Sequence, residues 1–193
     1  IALGFGLLLS SLSFGQGPDC ASMQPACTDA LISFPAQTDV TAASIAEPTN
    51  DYGCLGSSPN PAWYFFEIGV DGPIDMSLSA GLDIDFIIYG PFNAAGALTA
   101  LEVAQGACGT MGSATAPIVD CSYSGTNMET PSIPNALINE VYVMLVTNFS
   151  NQPQAIEISQ TGGTGATDCS IVTACVSQPG TFTVKKNGIA TAL

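Results

Sequence analysis

Between residues 63 and 89 the chain runs through three strand-type segments separated only by turns, and this stretch constrains the fold more than any other. Trp63–Ile68 (WYFFEI) is rich in aromatics, and Ile74–Ser79 (IDMSLS) alternates. In that second segment Ile74, Met76 and Leu78 fall on one face and Asp75, Ser77 and Ser79 on the other, as a half-buried strand requires. Asp85–Tyr89 (DFIIY) is apolar on both faces, the signature of a central strand, and stops at Gly90-Pro91. Val141–Thr147 (VYVMLVT) and Ala155–Gln160 (AIEISQ) repeat the pattern across the turn formers of 148–153, and Ala30–Phe34 reads as a short first strand. β-branched and aromatic enrichment with regular turns predicts an all-β sandwich rather than alternating βα units.

The rest of the chain is less regular. Residues 35–62 read as loop, and so does 107–139, which holds Cys108, Cys121 and prolines 117, 131 and 134. Only 93–106 (NAAGALTALEVAQG) suits a helix, centred near 96–105. The expectation is an antiparallel β-sandwich over 16–172 with at most one short helix. Its core should contain Phe66, Ile74, Met76, Leu78, Phe86, Ile88, Val143, Leu145, Ile156 and Ile158.

The two ends read differently. Ile1–Phe14 is an apolar run of signal-peptide length with small residues at Ser13 and Gly15, so residues 1–15 read as a leader cleaved before Gln16. The run is too short to span a bilayer, and no later apolar segment approaches the roughly 20 residues needed, which argues against membrane insertion of the mature chain. Residues 173–193 read as a linker and the opening of a further module, with Gly180–Lys185 (GTFTVK) as its first strand.

Seven cysteines come after the leader. In an exported chain they form a disulfide framework, and the absence of histidine and of any CxxC pair removes the zinc alternative. Cys20, Cys27, Cys54, Cys108, Cys121 and Cys169 belong to the sandwich, leaving Cys175 for the next module. Six cysteines allow fifteen connectivities. The favoured pairing is Cys108–Cys121, which brackets a loop poor in apolar residues, then Cys20–Cys27, with Cys54–Cys169 by elimination.

Charge narrows the function. Sixteen acidic residues face two basic ones, Lys185 and Lys186, for a formal charge of −14. Nucleic-acid and anionic-lipid binding rest on Lys/Arg clusters, so neither suits this chain. Without histidine there is no Ser-His-Asp or Cys-His arrangement. A glycosidase would need two carboxylates flanking a cleft, and Asp83 and Asp85 are too close in sequence to do so. The chain reads as a non-enzyme.

Several of these segments carry a resemblance. Trp63–Ile68, Ile74–Ser79, Asp83-Ile-Asp-Phe-Ile-Ile-Tyr89 and Tyr142–Asn148 are similar to the bacterial pre-peptidase C-terminal (PPC) domain, a small jelly-roll β-sandwich. More closely, the chain resembles an N-terminal module of large secreted surface proteins of Bacteroidetes. That likeness rests on Gly53–Leu55, Pro59–Tyr64, Asp85-Phe86, Tyr89–Phe92, Val119–Ser124, Ile133–Ala136 and Thr147–Pro153. It implies a jelly-roll-like fold, an extracellular or outer-surface address, export by the type IX system, and further domains downstream in the same polypeptide. The function implied is a non-catalytic adhesive or structural module, with surface glycans or other surface proteins as partners. The alternative is a carbohydrate-binding or calcium-dependent lectin-like module attached to a secreted hydrolase.

Two groups of residues are candidates for binding. Asp83 and Asp85, at i and i+2, project to one side of an extended segment and are able to share a calcium ion with loop oxygens. Asp71, Asp75 and Asp120 are further oxygen donors. The plainer reading, which carries more weight on sequence alone, is that both aspartates hydrogen-bond turn amides. Trp63, Tyr64, Phe92, Tyr123 and Phe149 could stack on sugars, but strand aromatics more often fill a core, and Trp63 and Tyr64 must point to opposite faces. Asn148-Phe149-Ser150 matches a glycosylation sequon, although a polar hairpin loop is the simpler explanation.

Overall fold

The computed structural model describes residues 17–28, 31–93, 98–171, 184–186 and 189–191. The expected leader, Cys175 and most of 173–193 lie outside them. Within the last segment Val184–Lys186 pairs antiparallel with Ile189–Thr191.

The described module is a two-sheet β-sandwich. One sheet has the order β1 (Gln24–Pro25), β3 (Pro61–Val70), β9 (Glu140–Thr147), β5 (Asp85–Asn93), β6 (Ile118–Ser122), with β11 (Ala166–Thr167) also on β3. The other runs β2 (Ile32–Pro35), β10 (Ala155–Gly163), β4 (Gly72–Ala80), and β4 is flanked beyond by β7 (Met128–Glu129) and β8 (Ser132–Ala136). Pairing is antiparallel throughout except for the two-residue parallel contact of β1 with β3.

Period-two alternation explains the packing. Tyr64, Phe66 and Ile68 of β3, Phe86 and Ile88 of β5, and Tyr142, Met144 and Val146 of β9 face the second sheet. There they meet Ile74, Met76 and Leu78 of β4 and Ile156 and Ile158 of β10. The intervening residues Trp63, Phe65, Ile87, Tyr89, Val141, Val143 and Leu145 are also buried, on the opposite face of the first sheet. A cover of loop and helix packs over them, contributing Cys20, Met23, Tyr52, Leu55, Ala100, Ala104 and Met111. The molecule therefore has three layers. Val143 and Leu145, expected in the sandwich core, are buried beneath this cover instead.

Other expectations need correcting. The helix is α2 (Ala100–Gly106), N-capped by a reciprocal Thr99–Glu102 box, and a one-turn helix, α1 (Ala43–Ala46), adds a second. The segment 107–139 is not simply loop, since it contains β6, β7 and β8. Pro134 is accommodated because β8 pairs only with β4, at the sheet's margin. At the far end of β10 the register shifts, and Gly163 sits at φ +90 with the Pro73 carbonyl standing where a Cβ would be. Only glycine fits there.

All six expected cysteines are paired, but as Cys20–Cys108, Cys27–Cys169 and Cys54–Cys121. None of the favoured pairings forms. Two of the three bonds fasten the cover: Cys20 is joined to Cys108 in the turn after α2, and Cys54 ties its loop down onto β6. Cys27–Cys169 joins the two ends of the module across a sequence separation of 142. Bridges of this kind suit an oxidising, extracellular environment. Among the described residues no helix is long and apolar enough to cross a membrane.

Candidate functional site

The start of β5 and the ends of β6 and β9 lie at the same end of the first sheet, because β5 runs antiparallel to both neighbours. Asp85 is the cross-strand partner of Thr147. Ile84 points into the sandwich core, so Asp83 and Asp85 on either side of it take the opposite face. The same alternation, continued from Leu145 through Thr147 to Phe149 and from Cys121 to Tyr123, brings those side chains to that face. Here the cover runs out. Asp83, Asp85, Tyr123, Ser124, Gly125 and Phe149 line a cleft of about 160 Å³.

Its rim is aromatic. Tyr123 is 44% exposed and Phe149 43%, and their rings meet edge to face with centroids 5.8 Å apart. Tyr123 is held from the cover: its hydroxyl lies 3.3 Å from Ser57 Oγ, and Cys54–Cys121 fixes the strand two residues before it. Gly56 gives the ring room, since a Cβ there would come within 3.0 Å of it. Phe149 is carried by a loop whose hub is Asn148. That buried side chain donates to the Gln37 and Gln152 carbonyls and accepts from Ser150 Oγ and Gln154 Nε2. The sequon is thus an internal loop tie, with the Asn148 amide nitrogen turned inward and engaged.

Its floor is acidic. Asp85 is only 2% exposed, and Oδ1 accepts the Ser124 amide at 2.9 Å, the backbone role expected of such an aspartate. Oδ2 and Asp83 Oδ1 are buried atoms too. The Thr147 hydroxyl is the donor beside the Asp85 carboxylate, and its interaction works against the effect of burial there. Burial, reinforced by the charges of Asp83 and Glu129, raises the Asp85 pKa to about 6. Burial raises that of Asp83 too.

The other sequence candidates fall elsewhere. Trp63, Tyr64 and Phe92 are buried, the first and last under the cover and Tyr64 between the sheets. Asp71 accepts the Ile138 amide, Asp75 the Ser132 hydroxyl, and Asp120 the amides of Cys121 and Ser132. None of the three lines the cleft. Sequence reasoning misses Ser124 and Gly125 as lining residues, although a shared i, i+2 spacing links Asp83 to Asp85, Thr147 to Phe149 and Cys121 to Tyr123. A larger hollow of about 360 Å³ lies beside α2, but its one carboxylate, Glu102, is already engaged in capping that helix.

Among the described residues no group of three or more His, Cys, Asp or Glu side chains gathers as a metal cage. The cleft offers hard oxygen donors and exposed rings, and no side-chain nitrogen or sulfur. No protein-family model matches the chain, and no curated protein is similar to it.

Proposed function

We propose that this is a non-catalytic, secreted β-sandwich module of the adhesive or structural kind, and that its point of contact is the cleft between Asp83, Asp85, Tyr123 and Phe149. The ligand class favoured is a hydroxyl-rich one, a surface glycan. One observation carries this reading: two half-exposed rings, packed edge to face, share one cleft with the carboxylates of Asp83 and Asp85. Sugars present that combination in reverse, with C–H faces for the rings and hydroxyl donors for the carboxylates. The absence of histidine from the chain supports a binding role over acid–base chemistry. The placement in a PPC-like, type IX-exported surface protein rests on the sequence motifs alone.

Binding of the intact chain to immobilised mannan, xylan and cellulose tests the contact. Tyr123→Ala and Phe149→Ala should each weaken retention at least tenfold while leaving the melting temperature within a few degrees. Failure to bind any polysaccharide, or binding unaffected by both substitutions, would overturn the assignment. The open reading frame tests the setting: repeats and a sorting domain are expected, and a catalytic domain would move the module into a hydrolase.

A further inference from the structure

The chain leaves the sandwich by a short strand. β11 has two residues on β3, and the Asp168 amide adds one bond beyond it, to the Glu67 carbonyl. Tension applied after Cys169 would peel β11 and then β10, the strand that lies between β2 and β4 and carries Ile156 and Ile158 into the core. Few contacts at a chain end mean local opening starts there. Cys27–Cys169 stands at that point and passes the load to the entry segment. A buried polar lock backs it one residue further in. The Thr28 amide donates to Thr167 Oγ1 at 2.8 Å, and the Thr28 hydroxyl donates to Gln160 Oε1 at 2.9 Å.

From Cys27 the load has a covalent way around the sandwich. Seven positions back along the chain stands Cys20, which is bonded to Cys108. Thirteen positions on from Cys108 stands Cys121, two before Tyr123 at the rim of the cleft. Both spans are tied to the first sheet. In the first, β1 pairs with β3 and the Ala26 amide donates to the Phe65 carbonyl. In the second, the Met111 and Pro117 carbonyls accept the Asp51 and Gly90 amides, and β6 pairs with β5. By backbone alone Tyr123 and Cys169 are forty-six positions apart, along a route through β7 to β11. The disulfide-linked route is about half as long and avoids those strands.

We propose that these bonds in series form a strap whose function is to carry tension between a ligand held at the cleft and the polypeptide downstream of Cys169. The inference rests on the cleft being the point of contact, and the class of ligand does not enter it. Fully stretched, the strap reaches about 85 Å and the backbone route about 160 Å. Forced unfolding follows the unfolding rate, so a strap that keeps β10 and β11 out of the load path slows opening under tension.

Optical tweezers on the full chain test the strap without any sugar, one handle clicked to p-azidophenylalanine in place of Tyr123 and the other at the C-terminus. With the disulfides intact, the gain in length on unfolding should stop near 85 Å. Dithiothreitol added to the same folded molecule, or Cys27→Ser/Cys169→Ser, should at least halve the force of the first step and let the gain run to about 160 Å. Cys54→Ser/Cys121→Ser, which lies off the route, should leave the length limit unchanged. A first step at the same force with and without Cys27–Cys169 overturns the proposal. Beads carrying the chain by its C-terminus over a mannan surface test the use of the strap. Parent and Cys27→Ser/Cys169→Ser should be captured equally at rest, and the variant should detach at least tenfold faster under shear. Equal detachment overturns the load-bearing role. Absence of capture at rest by either chain overturns the glycan reading and leaves the tweezers result to decide the strap.

Discussion

A carboxylate at the position of Asp85 works against folding at neutral pH. Its pKa rises from 3.8 to about 6 on folding because burial disfavours the charge, with Asp83 and Glu129 adding repulsion. Proton counts give the sign. Between about pH 4 and 6 the folded chain holds a proton that the unfolded chain has lost, so stability falls as pH rises through that window. Each pKa unit corresponds to about 1.4 kcal/mol, which bounds the effect near 3 kcal/mol. Asp85→Asn keeps the acceptor for the Ser124 amide and removes the charge. Urea midpoints measured without divalent cations should be higher for this variant than for the parent at pH 7, and the two should converge by pH 4. A variant that is less stable at pH 7 would show that the carboxylate is already compensated. Asn148, one loop away, acts through geometry alone, and its four hydrogen bonds hold the hairpin that presents Phe149.

At the scale of elements, β3, β5 and β9 are each buried on both faces, and the two faces serve different layers. Met144 and Leu145 are adjacent and fully buried, yet Met144 packs between the sheets and Leu145 beneath the cover. Truncating either to alanine removes comparable apolar volume and should cost about 2–5 kcal/mol by chemical denaturation. If the cover were a loose flap, Leu145→Ala would cost under about 1 kcal/mol. The same two-sidedness limits what a reader of the sequence can assign. DFIIY announces a strand apolar on both sides, but nothing in its period says which side meets a sheet and which a loop. β4 is legible in full because one face is polar. β6, β7 and β8 escape because they are short, contain proline or sit beside it, and are held by Cys121 and by hydrogen bonds to Asp120 rather than by an apolar stripe. Of the cleft, Asp83, Asp85, Tyr123 and Phe149 are each legible as residue types with a use. Their meeting is not, because it depends on which strand ends share an edge of the sheet.

At the scale of the whole molecule, two long-range constraints act in opposite directions: the disulfides and the charge. Nearness in sequence favours Cys108–Cys121, but the bonds formed follow the layers, so their sequence separations are 88, 142 and 67. Long closures restrict the unfolded chain most, by about 4 kcal/mol or more in the chain-entropy model. The double variant Cys54→Ser/Cys121→Ser should therefore lose roughly that much and also free Tyr123, whose fluorescence should become more quenchable by iodide. Charge opposes these staples. Carboxylates repel one another through a module that holds no lysine or arginine, and folding concentrates them. Salt screens such repulsion, with a Debye length shrinking from about 30 Å at 0.01 M to 10 Å at 0.1 M. Raising NaCl from 0.01 to 0.5 M at pH 7 should therefore raise the melting temperature. Acidification to pH 5 should raise it too, because Asp83, Asp85, Glu47 and Glu67 all have raised pKa values in the folded state and so bind protons more readily there. The two treatments act on the same repulsion, so the salt effect should be smaller at pH 5 than at pH 7. A salt response of equal size at both pH values would assign it to general solvent effects on apolar burial, which do not depend on carboxylate charge.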